Sequence, residues 1–518
     1  KMSNIKKTAL IITIISLGSK FLGFLREVAL AYFYGTSYVV DAYLMAVAIP
    51  SIVFGWITSL SVSYTPIYTD VRVKLGEDKS EKFTSNIISI AITISFACAL
   101  LGLIFSKQLV NIAAPGFKGQ VYDLTNWFVK ISVFSTIFNV FAQILVSYLN
   151  CNDKFIQSNI STLVISSTQL LVIYLSSKLG NNVLIFGTVM SSLVQLIVLY
   201  VFSLRNGYRF KYELKITSEI KQAFVILVPL FISSMLAQIN NFVNKAFASG
   251  LGEGSVSALN YSMVIRTFIF YVFTIAITTM IYPMLSKSMA ENDIKTVKST
   301  ISKSVDIIIL LFVPITIGAF LLSEPAVSFI YERGVFSRES TIMTSMALQM
   351  YSLGLVALAL REVITKVFYS MQDTKSTMYI SVFTVGLCIL FSAILIKPMG
   401  HVGLALASSL AETLTIPLFF YFLRKRLGSL GMKNSLNILI KSSISSAVMG
   451  VVVYFVFKYS SMVLSGGKLY ILLSMIISAV AGGLVYFVLM VIMKVKEMDF
   501  FTDIIKNIWH KIFKNRKV

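Results

Sequence analysis

The sequence predicts an all-α polytopic membrane protein of about fourteen transmembrane helices. The chain has 518 residues, of which 56% are hydrophobic and only 13% are charged. Soluble domains keep about a quarter of their residues charged. The apolar residues recur along the whole chain in segments of about 20 residues, the length that crosses a bilayer. Basic residues collect in alternate loops between these segments, which is typical of multi-pass proteins.

The apolar segments define the individual helices. Several of them exceed the length that a bilayer requires, which indicates tilted or bent helices. The predicted spans lie at 8–34, 40–68, 84–106, 123–149, 157–177, 181–203, 220–248, 255–285, 304–323, 342–370, 376–396, 402–423, 435–457 and 469–493.

The loops define the topology. With the N-terminus placed inside, 29 of the 45 Lys and Arg residues fall on the cytoplasmic side and 8 fall outside. One dropped helix would invert every later loop and destroy this asymmetry, so the pattern predicts that both termini are cytoplasmic. The formal net charge of +22 therefore reflects the inner loops rather than nucleic-acid binding. The basic segment 496–518 is predicted to be an amphipathic helix on the anionic inner leaflet.

Sequence landmarks also repeat at an offset of about 217–220 residues, as counted along the chain. This spacing predicts a duplicated six-helix unit, and because six is even both copies have the same orientation. The matching landmarks are Tyr64-Thr65-Pro66 with Ile281-Tyr282-Pro283, Gly116-Phe117 with Gly334-Val335-Phe336, and Tyr148 to Lys154 with Tyr369 to Lys375.

The duplication gives the predicted domain organisation. An N-terminal lobe covers 1–215 and a C-terminal lobe covers 216–428, followed by two further helices in 429–495 and the cytoplasmic tail 496–518. Two parallel bundles of this kind are the usual framework of an alternating-access transporter.

Basic residues lie inside the predicted spans, where a charge costs about 2.5–3.5 kcal/mol on insertion scales. Such residues normally face a wet cavity or a carboxylate, and Glu27, Asp41, Glu362 and Glu412 are candidate partners. The balance in both halves is nevertheless basic. We therefore predict a cavity that attracts an anion, with diphosphate especially suited to guanidinium groups. The candidate residues are Lys20, Arg26, Lys245, Arg266, Arg361 and Lys366.

Enzymatic and metal-dependent functions find little support. The three cysteines and two histidines are too few and too scattered for a disulfide framework or a metal site. The chain has no Walker A sequence, so ATP hydrolysis does not drive it. We predict a transporter without a metal or cofactor, driven by an ion gradient, the membrane potential or the gradient of its substrate.

Several motifs resemble the MurJ family of lipid II flippases, which belongs to the MOP exporter superfamily. The resemblance runs in order from about residue 8 to residue 425. Its motifs are Gly23 to Glu27, Phe33 to Ser37, Asp41-Ala42-Tyr43, Ile49-Pro50, Ala114 to Phe117, Tyr331 to Phe336, Phe368 to Thr374 and Gly403 to Ala407.

The resemblance implies a fourteen-helix protein with two six-helix lobes around a cationic cavity. It implies transport of an undecaprenyl-diphosphate-linked peptidoglycan precursor, with the last two helices holding the lipid tail. The family's functional basic positions correspond to Lys20, Arg26, Arg266 and Lys366, and its acidic position at the start of span two corresponds to Asp41.

The chain also departs from the family pattern. A family arginine of span two falls on Phe54, and the first basic position of span one is Lys20 rather than arginine. A carboxylate of the sodium site in some members aligns with Asn244, and span eleven has no acid, which argues against sodium coupling at that site. These substitutions leave room for a different lipid-linked sugar.

We therefore predict a lipid II flippase of the bacterial cytoplasmic (inner) membrane. Arg26 and Arg266 would bind diphosphate, Lys20 and Lys245 would add to the positive field, and Asp41 would orient a basic partner or a substrate hydroxyl. The alternatives are a flippase of another polyprenyl-diphosphate-linked oligosaccharide and, with less support, a MATE-like drug or cation antiporter. The further predicted partners are membrane lipids and the cell-wall synthesis machinery.

Overall fold

The computed structural model describes residues 2–53, 56–291, 293–371, 373–464 and 466–495. Every regular element in these ranges is an α-helix. Phe54 and the predicted amphipathic tail 496–518 lie outside the described residues. A helix is what an apolar chain in lipid requires, because each backbone N–H and C=O must find its partner within the segment.

Eighteen helices are present in the described part of the chain, and they are numbered in chain order. They are α1 (Met2–Tyr34), α2 (Tyr38–Val53), α3 (Trp56–Leu75), α4 (Glu77–Ile104), α5 (Ser106–Ala113), α6 (Gln120–Ser132), α7 (Ser135–Cys151), α8 (Phe155–Leu179), α9 (Asn182–Arg205), α10 (Ser218–Ala248), α11 (Ser255–Ala290), α12 (Ile294–Leu321), α13 (Ser323–Tyr331), α14 (Arg338–Ser352), α15 (Leu355–Ser370), α16 (Thr374–Leu427), α17 (Lys433–Val463) and α18 (Lys468–Ile492).

Eight of the described helices are long and apolar enough to cross a membrane, and the number rises to ten if two bent pairs each form one span. The pairs are α6 with α7, bent by 41°, and α14 with α15, bent by 49°. The chain is thus an integral membrane protein, and the number fourteen stays a prediction. Predicted spans 376–396 and 402–423 both fall in α16, which is interrupted at Gly400, where φ is +57°.

Short polar side chains begin several of the helices. The Asp293 carboxylate accepts a hydrogen bond from the backbone N–H of Thr296 at the start of α12. Asp373 does the same for the N–H of Ser376 at the start of α16. Such caps satisfy backbone donors that the first turn of a helix leaves without an intrahelical partner. The sequence therefore fixes where these two helices begin.

The helices pack into two compact units. One comprises the chain up to Tyr261 together with Tyr331–Ser340, and the other comprises Ser262–Ile330 together with the chain from Thr341 onward. The predicted lobes, 1–215 and 216–428, follow the duplication rather than this packing, and they stay a prediction. Each unit has its own apolar core.

In the first unit, the core lies between α3, α4, α7 and α9 and is rich in tyrosine. Tyr64 stacks on Phe83 with ring centroids 5.7 Å apart, and its hydroxyl lies 2.7 Å from Thr84 Oγ1. Buried tyrosines of this kind contribute apolar area and still satisfy their hydroxyl groups.

In the second unit, α12 packs against α15 and α17, and α17 packs against α18. The Tyr486 hydroxyl donates to the Leu310 carbonyl at 2.9 Å and lies 2.8 Å from Ser442 Oγ. One side chain of α18 thereby links α12 and α17. The last two helices are thus part of this unit's core rather than an appendage.

Candidate functional site

Arg26 lies within α1 and is held in a hydrogen-bond network of the first unit. Its Nε donates to Glu27 Oε1 at 3.1 Å, and its Nη1 donates to Gln169 Oε1 of α8 at 2.7 Å. The other carboxylate oxygen of Glu27 accepts a hydrogen bond from Asn260 Nδ2 of α11 at 3.0 Å. The Arg26 side chain is still 34% exposed, whereas that of Glu27 is 8% exposed. Glu27 and Gln169 therefore orient the guanidinium, and about a third of the arginine side chain remains exposed.

Lys245 joins the same group of charges. It lies in the last turn of α10, and its ammonium interacts electrostatically with the Glu27 carboxylate. The single carboxylate of Glu27 thus faces two basic side chains. Lys20 lies on the same helix as Arg26, about 9 Å away along the helix axis, and its side chain is exposed. Arg26 and Lys245 therefore both interact with Glu27, and their binding of a substrate anion stays a prediction.

Asp41 is buried and both of its carboxylate oxygens accept backbone hydrogen bonds. The N–H groups of Gly254 and Ser257 donate to it at 2.8 Å each, so it caps the start of α11. In return, the Glu253 carboxylate accepts a hydrogen bond from the N–H of Tyr38, the first residue of α2, at 2.8 Å. Asp41, in the first turn of α2, thus caps the start of α11, and Glu253, just before α11, caps the start of α2. The structure gives Asp41 a capping contact, and its predicted contact with a basic group or a substrate hydroxyl stays a prediction.

In the second unit, Arg266 forms a buried ion pair. Its Nη2 donates to Glu412 Oε2 of α16, and the two side chains are only 5% and 8% exposed. The ring of Tyr351 from α14 lies 5.5 Å from the guanidinium carbon, within cation–π range. Arg266 is therefore fully enclosed, in contrast to Arg26.

Gly354 makes room for this ion pair. It lies at the bend between α14 and α15, and a Cβ atom there would be 2.9 Å from Glu412 Oε2 and 3.1 Å from Arg266 Nη2. The same Cβ would be 2.9 Å from Ser409 Oγ, which donates to the Met350 carbonyl at 2.7 Å. Any side chain at position 354 would displace the ion pair. The pairing of Arg266 with Glu412 therefore depends on the glycine at the bend.

Arg361 and Lys366 both lie on α15. Lys366 Nζ is 3.3 Å from Glu362 Oε1, an i,i+4 pair whose side chains are partly exposed. Arg361 is half-buried and makes no ion pair with any residue in the described ranges. The roles of both residues in binding a substrate stay predictions.

Sequence reasoning missed four members of these networks. Gln169, Asn260 and Tyr351 contact the two arginines or their acids, and Gly354 provides space. The only available signal was a polar or small residue inside an apolar span. Such residues more often serve helix–helix contacts, so the signal does not distinguish the two roles.

Comparison with known proteins agrees with this architecture. The family described as "Lipid II flippase MurJ" matches residues 30–495. Similar proteins include the probable lipid II flippase MurJ of Rickettsia prowazekii (strain Madrid E), 25% identical over 81% of this chain and 84% of its own length. That of Rhizobium tropici is 25% identical over 88% of this chain and 87% of its own length.

Solved structures show the same fold. A structure described as lipid II flippase MurJ in an inward closed conformation superimposes with a TM-score of 0.80 at 22% identity, covering 96% of this chain and 100% of that one. An inward-facing MATE family transporter of the MOP superfamily gives 0.64 at 14% identity, covering 81% and 99% of the two chains. The family's sequence pattern matches residues 30–495, which is most of this chain. The chain therefore belongs to the lipid II flippase MurJ family, whose members are transporters rather than enzymes.

Proposed function

We propose that this protein moves lipid II, an undecaprenyl-diphosphate-linked peptidoglycan precursor, from the cytoplasmic to the outer leaflet by alternating access. The observation that carries the proposal is the Arg26 group: an oriented arginine whose side chain is 34% exposed and which shares Glu27 with Lys245, the one acid that interacts with both among the described residues. A net positive site on membrane helices attracts an anion, and guanidinium binds the oxygens of a diphosphate in a bidentate manner.

The candidate residues would have different roles in binding the substrate. Arg26 binds a phosphate through the N–H groups that remain after Nε and Nη2 donate to Glu27 and Nη1 donates to Gln169, and Lys20 and Lys245 strengthen the positive field. Arg266 binds a phosphate after it exchanges its present partner, Glu412. Arg361 and Lys366 contact the head group. Asp41 contributes indirectly, because it and Glu253 hold the starts of α11 and α2 in place by capping them.

The prenyl tail would remain in the surrounding lipid. Helices α17 and α18 expose large apolar side chains along their length, among them Phe455, which is 61% exposed, and Leu484, which is also 61% exposed. Such surfaces suit contact with acyl or prenyl chains. No cofactor enters this scheme, and the free energy would come from a gradient or from the membrane potential.

The location follows from the charge asymmetry of the loops. We propose the bacterial cytoplasmic membrane, with both termini in the cytoplasm. Tags fused at each end should be inaccessible to impermeant reagents in intact spheroplasts and become accessible after lysis. Accessibility of either tag in intact spheroplasts would refute this orientation.

The site is tested by head-group accessibility in vesicles that contain the purified protein and lipid II. Arg26→Ala should slow translocation at least about tenfold, because hydrogen bonds to a charged group contribute about 1.5–3 kcal/mol. Lys74→Ala is the matched control, since Lys74 pairs with Asp70 on an exposed helix face, 2.7 Å apart, where ion pairs contribute little. Wild-type transport by Arg26→Ala would remove Arg26 from the site.

The substrate is tested in the same vesicles with a second polyprenyl-diphosphate-linked oligosaccharide in place of lipid II. Faster transport of lipid II supports the proposal. Faster transport of the other lipid, together with failure to rescue cells depleted of their own lipid II flippase, would favour a flippase for a different glycan.

A further inference from the structure

The buried pair of Arg266 and Glu412 poses a problem for substrate binding. A diphosphate that binds Arg266 has to compete with the carboxylate that already accepts a hydrogen bond from Nη2 of the same guanidinium. We infer that Glu412 is a displaceable counter-ion: substrate diphosphate takes its place on Arg266, and Glu412 takes up one proton when this happens. The inference rests on the proposed function, in which Arg266 binds diphosphate.

The hydrogen bonds of Arg266 favour this exchange. A guanidinium carries five N–H donors. In this structure, one Nη group donates to Glu412, and Nε has no hydrogen-bond partner among the described residues although it is buried. The ring of Tyr351 covers the guanidinium without accepting a conventional hydrogen bond from it. Arg266 thus keeps unused donors in a buried place, which a ligand with several acceptor oxygens would satisfy better than one carboxylate oxygen.

Burial of the pair requires that a proton accompany the exchange. The Arg266 and Glu412 side chains are 5% and 8% exposed, so water screens neither of them well. If an anion takes the guanidinium, the carboxylate is left as an unpaired charge in a buried site, and such groups become neutral instead. A proton from water that binds a Glu412 oxygen balances the exchange: one carboxylate leaves the arginine, one phosphate arrives, and one proton is bound.

Glu412 is also the group that can take up the proton. Among the described residues, the titratable groups recorded against Glu412 are Arg266 from α11 and Tyr351 from α14, and Cys388 of α16 interacts with Tyr351 in turn. Arginine stays protonated at every relevant pH, while tyrosine and cysteine are already protonated at neutral pH. Glu412 is therefore the one group among these four that can accept a proton when the pair opens.

The space around the pair also favours exchange. On the side of Gly354 there is no void, because a single added Cβ would touch the carboxylate, the guanidinium and Ser409. A phosphate therefore cannot bind on that side as a third member of the group, and it reaches Arg266 by replacing the carboxylate.

The experiment measures binding to the full-length protein in nanodiscs. The ligand is a short-prenyl analogue of lipid II, whose two phosphates are both esterified so that its own charge is constant from about pH 5 to about pH 8. The wild type should bind more tightly as the pH falls, approaching about tenfold per pH unit where one proton is taken up. Glu412→Gln should bind tightly throughout and lose this dependence, whereas Glu412→Asp should keep it.

Three comparisons separate the possible failures. Loss of binding in Arg266→Ala supports the proposed function, whereas wild-type binding in that variant overturns the role of Arg266 in it. If Arg266→Ala loses binding but Glu412→Gln keeps the wild-type pH profile or binds more weakly at every pH, the counter-ion inference is wrong and the proposed function stands. Glu339→Gln, which alters an exposed carboxylate, should keep the wild-type profile.

A second measurement on the wild type avoids any question of folding. Calorimetric titration of the same analogue in buffers of different ionisation enthalpy counts the protons bound per ligand. The inference predicts a net uptake close to one at neutral pH. An uptake of zero would overturn it.

Discussion

The two units each hold an arginine inside the predicted spans, but they hold it in different ways. Arg26 is paired with the next residue in the chain, shares that acid with Lys245, and keeps 34% of its side chain exposed. Arg266 is paired with an acid 146 residues away, and both side chains are enclosed. An arginine in a membrane span can thus be either an open site or a closed ion pair. The two pairs differ in the number of nearby cations and in the burial of the arginine, because both acids are equally buried at 8% exposure.

Removal of the acids gives the largest expected difference between the two pairs. Glu412→Ala leaves a buried guanidinium without a counter-charge, and breaking a buried pair in this way costs about 3–5 kcal/mol. Glu27→Ala should cost much less, since Arg26 retains Gln169 and partial contact with solvent. Thermal unfolding in detergent compares the two variants. Equal losses would mean that burial does not distinguish the pairs.

The space at Gly354 gives the second effect. Gly354→Ala should destabilise the protein by about 1–3 kcal/mol, the usual cost of adding atoms to a packed region, because the new Cβ meets Glu412 and Ser409 at 2.9 Å. Gly386→Ala on α16 is the control, since no atom lies within 4 Å of its Cβ position and alanine favours the helix. A Gly354→Ala variant as stable as that control would show that the closed pair yields easily.

These contacts also mark the limit of prediction from sequence. Hydropathy and loop charge predict where the helices lie, because lipid imposes that pattern on every span. The pairing of Arg266 with Glu412 depends on which residues of distant helices meet, and nothing local encodes it. Glu27, by contrast, could be recognised as a partner because it directly follows Arg26. The bend near Val133 between α6 and α7 has no proline or glycine to announce it, so it too is decided by packing.

The neutral partner of Arg26 provides a smaller test of the open site. Gln169→Ala removes the acceptor that lies 2.7 Å from Nη1, so the guanidinium should lose its orientation but not its charge. The expected loss is about 1.5 kcal/mol, or about tenfold in lipid II translocation. The control is Thr168→Ala, which alters the residue just before Gln169 in α8 and should transport lipid II normally. Gln169→Glu should instead slow transport more than Gln169→Ala, since a second acid would turn the open site into a closed one.

Asp373 and Arg426 form a third ion pair, which lies outside the predicted spans and should give the smallest effect. Burial opposes ionisation of Asp373, but hydrogen bonds from Ser376 and the Arg426 guanidinium outweigh it and hold the pKa of Asp373 below its ordinary value. Because the folded-state pKa is lowered, the contribution to stability is complete at neutral pH and is lost as the pH falls through that pKa. Arg426 is 63% exposed, so the ion pair is screened.

Asp373→Asn keeps the oxygen that caps the backbone of α16 and replaces the charged oxygen that accepts from Arg426 and from Ser376 Oγ. It should lower the free energy of unfolding by about 0.5–1 kcal/mol at neutral pH, and the difference from the wild type should vanish as the pH falls below the lowered pKa of Asp373. Asp293→Asn is the matched control, since Asp293 caps α12 through Thr296 and no arginine bonds to it among the described residues. Unfolding measured across pH should show the larger change for Asp373→Asn. Equal changes would mean that an exposed arginine adds nothing to a capping acid.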